Sequence, residues 1–177
     1  MTKIGLFKKV LFLDKNFLKS LGNFDIVYSW GVLHHTGNMW VALENTASLV
    51  KKKGVLFIAI YNDQGRVSSF WKKVKEFYCS GFIGKAIVSV IFIPSFFLLA
   101  LGSCIVKREN VFIEHKKNRG MSIIYDWFDW LGGLPFEVAT VEEIFHFFRD
   151  RGFVLSNIKT NNGQRNNQFV FVRDLDV

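Results

Sequence analysis

Residues 55–60 (VLFIAI) constrain this chain more than any other stretch. The run is uninterrupted and apolar, as expected of a strand covered on both faces, and such strands belong to parallel sheets. Upstream, residues 24–30 (FDIVYSW) are rich in β-branched and aromatic side chains and form a second strand pattern. Between the two, Trp40, Leu43, Ala47 and Val50 recur at helical spacing. Lys51-Lys52-Lys53-Gly54 is expected to close that helix, with cations at the negative end of its dipole and glycine just beyond. Strand, helix and strand with short connections imply a parallel, right-handed crossover. Residues 10–13, ended by Asp14, are a further short strand candidate.

The last third is equally periodic. Thr140 and Glu143 have the spacing of a capping box, Val141, Ile144, Phe145 and Phe148 line one helix face, and Gly152 stops the helix. Residues 153–159 and 168–173 then read as strands joined by a polar, Asn-rich turn. An antiparallel hairpin thus closes a mostly parallel sheet.

Residues 86–106 are different in kind: they carry no charge and are bracketed by Lys85 and by Lys107-Arg108. Length and apolarity meet the criterion for a membrane-spanning helix, which Pro94, Ser95, Gly102 and Ser103 weaken. Topology argues the other way. The strands before this run and the hairpin after it must join one sheet, and a single crossing would separate them. A helix docked over the substrate entrance, or lying in the membrane interface, escapes that objection. Spanning and docking both stay open at this level.

Half of the 177 residues are apolar and 21% are charged, which excludes wholesale disorder. The formal charge of +8 suits anionic partners. The basic residues, however, fall in short scattered runs without aromatic interleaving, so nucleic acid is not an expected partner. Cys79 and Cys104 form neither a disulfide framework nor a ligand set, no metal site is expected, and a reducing, cytoplasmic location fits. The N-terminus has no cleavable signal pattern.

Two long stretches resemble one family. FDIVYSWGVLHHTG followed by a helix, LVKKKG and VLFIAIYND is similar to the central part of class I S-adenosylmethionine-dependent methyltransferases. RGMSIIYDWFDWLGGLPFEVATVEEI, with RGFVL and NNQFVFVR, resembles the tail of one subgroup. The resemblance implies an α/β fold: an incomplete Rossmann-like methyltransferase sheet, mostly parallel, with a C-terminal antiparallel hairpin and a hydrophobic helical insertion. It implies a partial core over residues 1–65 and a helical insertion over 66–120. In residues 121–177 an aromatic loop, the capped helix and the hairpin would complete the same domain. It also implies S-adenosylmethionine as cofactor and methyl transfer to an unidentified acceptor, a small molecule or a lipid-like one.

Open α/β sheets bind ligands at the carboxyl ends of their strands. The resemblance makes Asp14 the carboxylate that accepts from the adenine amino group, and Ser29, Trp30 and Gly31, with His35, the wall beside the cofactor. His34, His35 and Asp63 are the catalytic candidates, the imidazoles because they titrate near neutrality. Tyr61, Asn62 and Asp63 would face the substrate, with Trp127 and Trp130 on a covering loop. Each has a plainer reading: Asp14 and Asn62-Asp63 as turn residues, Gly31 as a bend, the tryptophans as a seal on the core.

The departure from the family lies upstream, where a glycine-rich turn should hold the methionine carboxylate and an acidic residue the ribose. Before Val10 only Gly5 stands. The expectation is therefore a truncated enzyme that binds cofactor weakly. Its alternatives are a non-catalytic remnant or subunit, or a small membrane-associated protein with contact through residues 86–106. In the family's strand order, FDIVYSW would become an exposed sheet edge. That edge would invite self-association or an N-terminal half supplied in trans.

Overall fold

The computed structural model describes residues 13–174, so the strand expected at residues 10–13 lies outside it except for Leu13, which sits in a turn. The chain divides into two compact units. The first comprises residues up to Gly65 together with those from Pro135 onward, and the second is Arg66–Leu134.

In the first unit, Asp14 caps a short helix, α1 (Lys15–Ser20), through its side chain, which accepts from the Asn16 and Phe17 amides. Strand β1 (Phe24–Trp30) follows, then helix α2 (Met39–Ser48) and strand β2 (Val50–Tyr61). After the second unit the chain returns with α7 (Val141–Arg149), β3 (Phe153–Lys159) and β4 (Asn166–Arg173). The four strands are ordered β1-β2-β4-β3, with β1 and β2 parallel and the other two pairings antiparallel. Among the described strands, β1 is an edge.

One sheet face carries the core. Leu56, Ile58 and Ile60 of β2 and Phe169 and Phe171 of β4 meet Leu43 of α2 and Ile144 and Phe148 of α7, all essentially without solvent exposure. The capping box of α7 is fully formed, with Thr140 and Glu143 each accepting from the other's backbone. On the opposite face, at β1, Ile26 is 71% and Tyr28 67% exposed, and Tyr28 stacks on Phe57 at 5.1 Å.

The lysine run does not cap α2. That helix ends at Ser48, and its cap residue, Leu49, donates its amide to the Ala47 and Thr46 carbonyls. The Leu49 carbonyl already accepts from Phe24 N at 2.7 Å, so sheet pairing takes over where helix pairing stops. The register then jumps from Phe24↔Val50 to Ile26↔Val55, and Lys51–Gly54 bulge out between them. Lys53 takes a positive φ of 63°. Gly54 is required there, since a Cβ would stand 2.9 Å from both the Lys51 carbonyl oxygen and Val50 Cγ1. Lys51 pairs with Asp25 across the bulge at 2.9 Å.

The second unit is helical: α3 (Arg66–Cys79), α4 (Phe82–Lys107), α5 (Val111–Arg119) and α6 (Ile123–Gly132). The segment expected as an aromatic loop of the sheet domain is helix α6 and belongs to this unit. Ser122 caps it, and its apolar residues pack on the other helices: Trp130 lies 4.5 Å from Trp71, and Trp127 5.8 Å from Phe96. The uncharged run forms the greater part of α4. Gly84 lets that helix approach α3 closely, because a Cβ there would collide with the Phe77 carbonyl.

Candidate functional site

The parallel pair β1 and β2 ends, at its carboxyl edge, in the turn that carries the two histidines. Gly31 leaves β1 with φ 72°, a backbone region that favours glycine, and donates its amide to the Ala59 carbonyl at 3.3 Å. A short 3-10 turn (Leu33–His35) then brings both imidazoles against Tyr61 at the end of β2. The His34 ring lies 4.1 Å from that of Tyr61 and 4.5 Å from that of His35, and Phe136 adds a further ring 5.3 Å from Tyr61.

His34 is wholly buried, and among the described residues its ring nitrogens make no well-formed hydrogen bond, the Ala59 backbone being the polar group in reach. Burial, with a smaller contribution from the adjacent His35, lowers its pKa to about 3, and the Ala59 backbone offsets only part of this. The ring is therefore neutral at physiological pH, and an imidazole so reluctant to take a proton is a poor general base. Ser29 is buried as well, with its hydroxyl unpartnered.

His35 is held differently. Its Nδ1 meets the Pro135 carbonyl oxygen at 2.6 Å, a geometry in which the ring donates. That contact is one stitch in a clasp made by residues 135–139. Glu137 N donates to the His34 carbonyl at 3.1 Å, and the Glu137 carboxylate accepts from the Gly37 and Met39 amides at 3.0–3.1 Å. Ala139 bridges to Asn62, donating to the Tyr61 carbonyl and accepting from Asp63 N. Glu137 thus sits on the N-terminus of α2, where a negative charge is favoured.

Asn62 and Asp63 are fastened into this frame. Asn62 accepts from Asn167 Nδ2 at 3.0 Å and donates to the Asn161 carbonyl at 3.2 Å, while the Asp63 carboxylate accepts from Gly65 N at 2.8 Å. The asparagines of the hairpin turn therefore tie it to the end of β2. Asn166 also lies beside Gly31, its Nδ2 3.6 Å from where a Cβ would stand. From the sequence Glu137 stands only as an acidic member of the aromatic loop, Asn62 as a substrate-facing candidate and the remaining asparagines as a turn, so none of these contacts is legible there.

The structure thus brings Ser29, Trp30, Gly31, His34, His35, Tyr61, Asn62 and Asp63 to one sheet edge. Asp14 is a helix cap in the same unit, and Trp127 and Trp130 lie in the helical unit. Among the described residues no group of three His, Cys, Asp or Glu side chains is placed to hold a metal.

No protein-family model matches the chain, and no curated protein sequence does. Solved structures do match. PKMT2 from Rickettsia typhi in complex with AdoHcy has a TM-score of 0.53 at 13% identity, over 95% of this chain and 39% of that one. A second structure of PKMT2 from Rickettsia typhi gives 0.50 at 11%, over 89% and 36%. An O-methyltransferase family protein from Burkholderia thailandensis gives 0.49 at 16%, over 96% and 36%. The chain therefore has part of the fold of the Rickettsia protein, and it spans well under half the length of each of these structures.

Proposed function

We propose that the sheet unit is part of the core of an S-adenosylmethionine-dependent methyltransferase and lines one side of its cofactor pocket. The observation that carries this reading is the Gly31 turn, whose positive φ ends β1 at the carboxyl edge of the parallel pair, beside the buried Ser29 hydroxyl, which has no partner among the described residues. Buried polar atoms without partners are costly, and a ligand that pairs with them removes the cost. Their place, at the carboxyl end of the parallel strand pair, is where open α/β sheets bind ligands.

When bound, the cofactor supplies an electrophilic sulfonium methyl group. Ser29, Trp30 and Gly31 would wall its methionine portion, with His35 held rigid by Pro135, and Asp14 would meet the adenine. Tyr61 and Asp63 would position the acceptor, whose identity we leave as a small or lipid-like nucleophile. Proximity and orientation account for most of the acceleration in such a transfer.

The residues fit one wall and not the anion site. In the sheet unit, the N-termini of α1, α2 and α7 are already occupied by Asp14, Glu137 and Glu143. No helix N-terminus described in this unit is thus open to the methionine carboxylate. We therefore infer that the working site includes a further glycine-rich segment, in this polypeptide or another, seated beside β1, an edge among the described strands. The unpaired Cys79 and Cys104 agree with a reducing, cytoplasmic setting.

Calorimetric titration with S-adenosylhomocysteine tests this. The 177-residue chain alone should bind with a dissociation constant weaker than about 1 mM, near −4 kcal/mol. Adding a methyltransferase N-terminal half in trans should tighten it and protect the amides of residues 24–30 from exchange. Micromolar binding by the chain alone would refute the need for a second segment. No gain with the added half would count against the methyltransferase reading itself.

A further inference from the structure

We propose that the helical unit is a monotopic membrane anchor, in which α4 lies in the plane of an anionic phospholipid bilayer, sunk into one leaflet. In the structure α4 buries only one narrow stripe, centred on Gly84, Val88 and Ala100, with Phe92 and Phe96 packed beside Trp71 and Trp130. Around the rest of its girth Phe82, Ile83, Val90, Leu99, Ile105 and Val106 are each more than two-thirds exposed. Soluble proteins rarely present so long a continuous apolar surface to water. The helix is long and apolar enough to meet hydrocarbon throughout, and only 11% of its most apolar window is buried. Two of its three hydroxyls are satisfied within the helix: Ser95 donates to the Ile91 carbonyl at 2.7 Å and Ser103 to the Leu99 carbonyl at 2.8 Å.

The same packing argues against a perpendicular span. Phe77 and Tyr78 of α3 lie at the start of α4, and Trp71 reaches Phe92 at 5.1 Å, so α3 runs antiparallel along its first half. Lys72, Lys73 and Glu76 on α3 are exposed, and a spanning α4 would carry them into hydrocarbon. An in-plane helix keeps them on the water side.

Charge selects the lipid. Residues 66–134 hold ten Lys and Arg against five Asp and Glu, a net of +5 out of the chain's +8. Lys85, Lys107 and Arg108 flank the apolar surface of α4. Beside its second half, an open groove of about 900 Å³ is lined by Phe97, Phe112 and Ile123, with Lys116 and Lys117 among its walls. An apolar groove bearing two ammonium groups suits an acyl chain below a lipid phosphate.

Flotation of the full chain with vesicles tests the proposal. One set is phosphatidylcholine alone, the other carries a phosphatidylglycerol fraction of about one third, enough to create a negative surface potential. The chain should float with the anionic vesicles and less with the neutral ones, and protease added outside sealed vesicles should cut at both ends of α4. The exposed positions allow a variant that still folds: I83S/V90S/L99S/I105S should lose about a hundredfold in partitioning, with its helical circular dichroism retained. K116Q/K117Q should lose on the order of 30-fold, in the anionic vesicles only. Recovery of the chain in the unbound fraction or the pellet would overturn the proposal. Protection of one end of α4 from protease added outside sealed vesicles would overturn the in-plane orientation in favour of a span.

Discussion

The two units use the same aromatic and aliphatic residues against different surroundings. In the sheet unit Phe148, Phe169 and Phe171 are essentially without exposure, and Phe148 lies 4.6 Å from Phe171. In the helical unit Phe82 is 87% exposed and apolar side chains cover most of α4. A sheet face and an amphipathic helix such as α7 bury their apolar atoms against each other. A helix apolar all round has more such surface than its neighbours can cover. The contrast teaches that apolar content is evidence of a core only when a second layer is present to receive it.

The comparison breaks most sharply at Phe148. F148A should cost about 3–5 kcal/mol through lost burial and a residual cavity, read by urea unfolding. A loss below about 1 kcal/mol would mean that this core is far looser than its geometry.

His34 offers a smaller, pH-dependent effect. Its pKa in the folded chain, about 3, lies below the ordinary 6.5, so the unfolded chain takes up the proton first as pH falls. Stability from this group is complete above pH 6.5 and is lost progressively towards pH 3, by about 2 kcal/mol at pH 5. H34L should remove that part of the acid destabilisation and change stability little at neutral pH, because the nitrogens it deletes make no well-formed hydrogen bond among the described residues. Unfolding curves for both proteins between pH 7 and 5 decide it; parallel losses would place the proton-sensitive group elsewhere.

The smallest effect belongs to the helical unit. L98S, at a side chain 68% exposed, should shift thermal unfolding in water by less than about 0.5 kcal/mol. A loss of core size there would show that α4 is covered in solution, by a second copy or by another segment, and would erase the contrast between the units.

The strand–helix–strand pattern and the capped C-terminal helix were legible because their causes are local. A period of 3.6 or an unbroken apolar run shows within a few residues, and Thr140 reads Glu143 across a single turn. The end of α2 was not legible. Lys51-Lys52-Lys53-Gly54 has the composition of a helix terminus, but Phe24 claims the Leu49 carbonyl first and turns the lysines into a bulge. The segment expected as a loop at Trp127 and Trp130 carries a helical period after all: Ser122 caps it, and Ile123, Trp127, Trp130 and Leu131 recur on one face. What the sequence does not show is the partner of that face, which packing against Trp71 and Phe96 supplies.

By itself the sequence determined which residues must leave water, where the α/β alternation runs, and that 86–106 would stand apart from it. Tertiary structure alone decided what the site residues do. His35 meets Pro135 across 100 positions in the chain, and Gly37 meets the Glu137 carboxylate across the same interval. It also decided that His34 is sealed and neutral rather than poised to titrate. The reason is physical. Local patterns are set by backbone geometry and burial over a few residues, whereas a hydrogen-bond partner or a local dielectric is supplied by whichever distant segment the fold brings near.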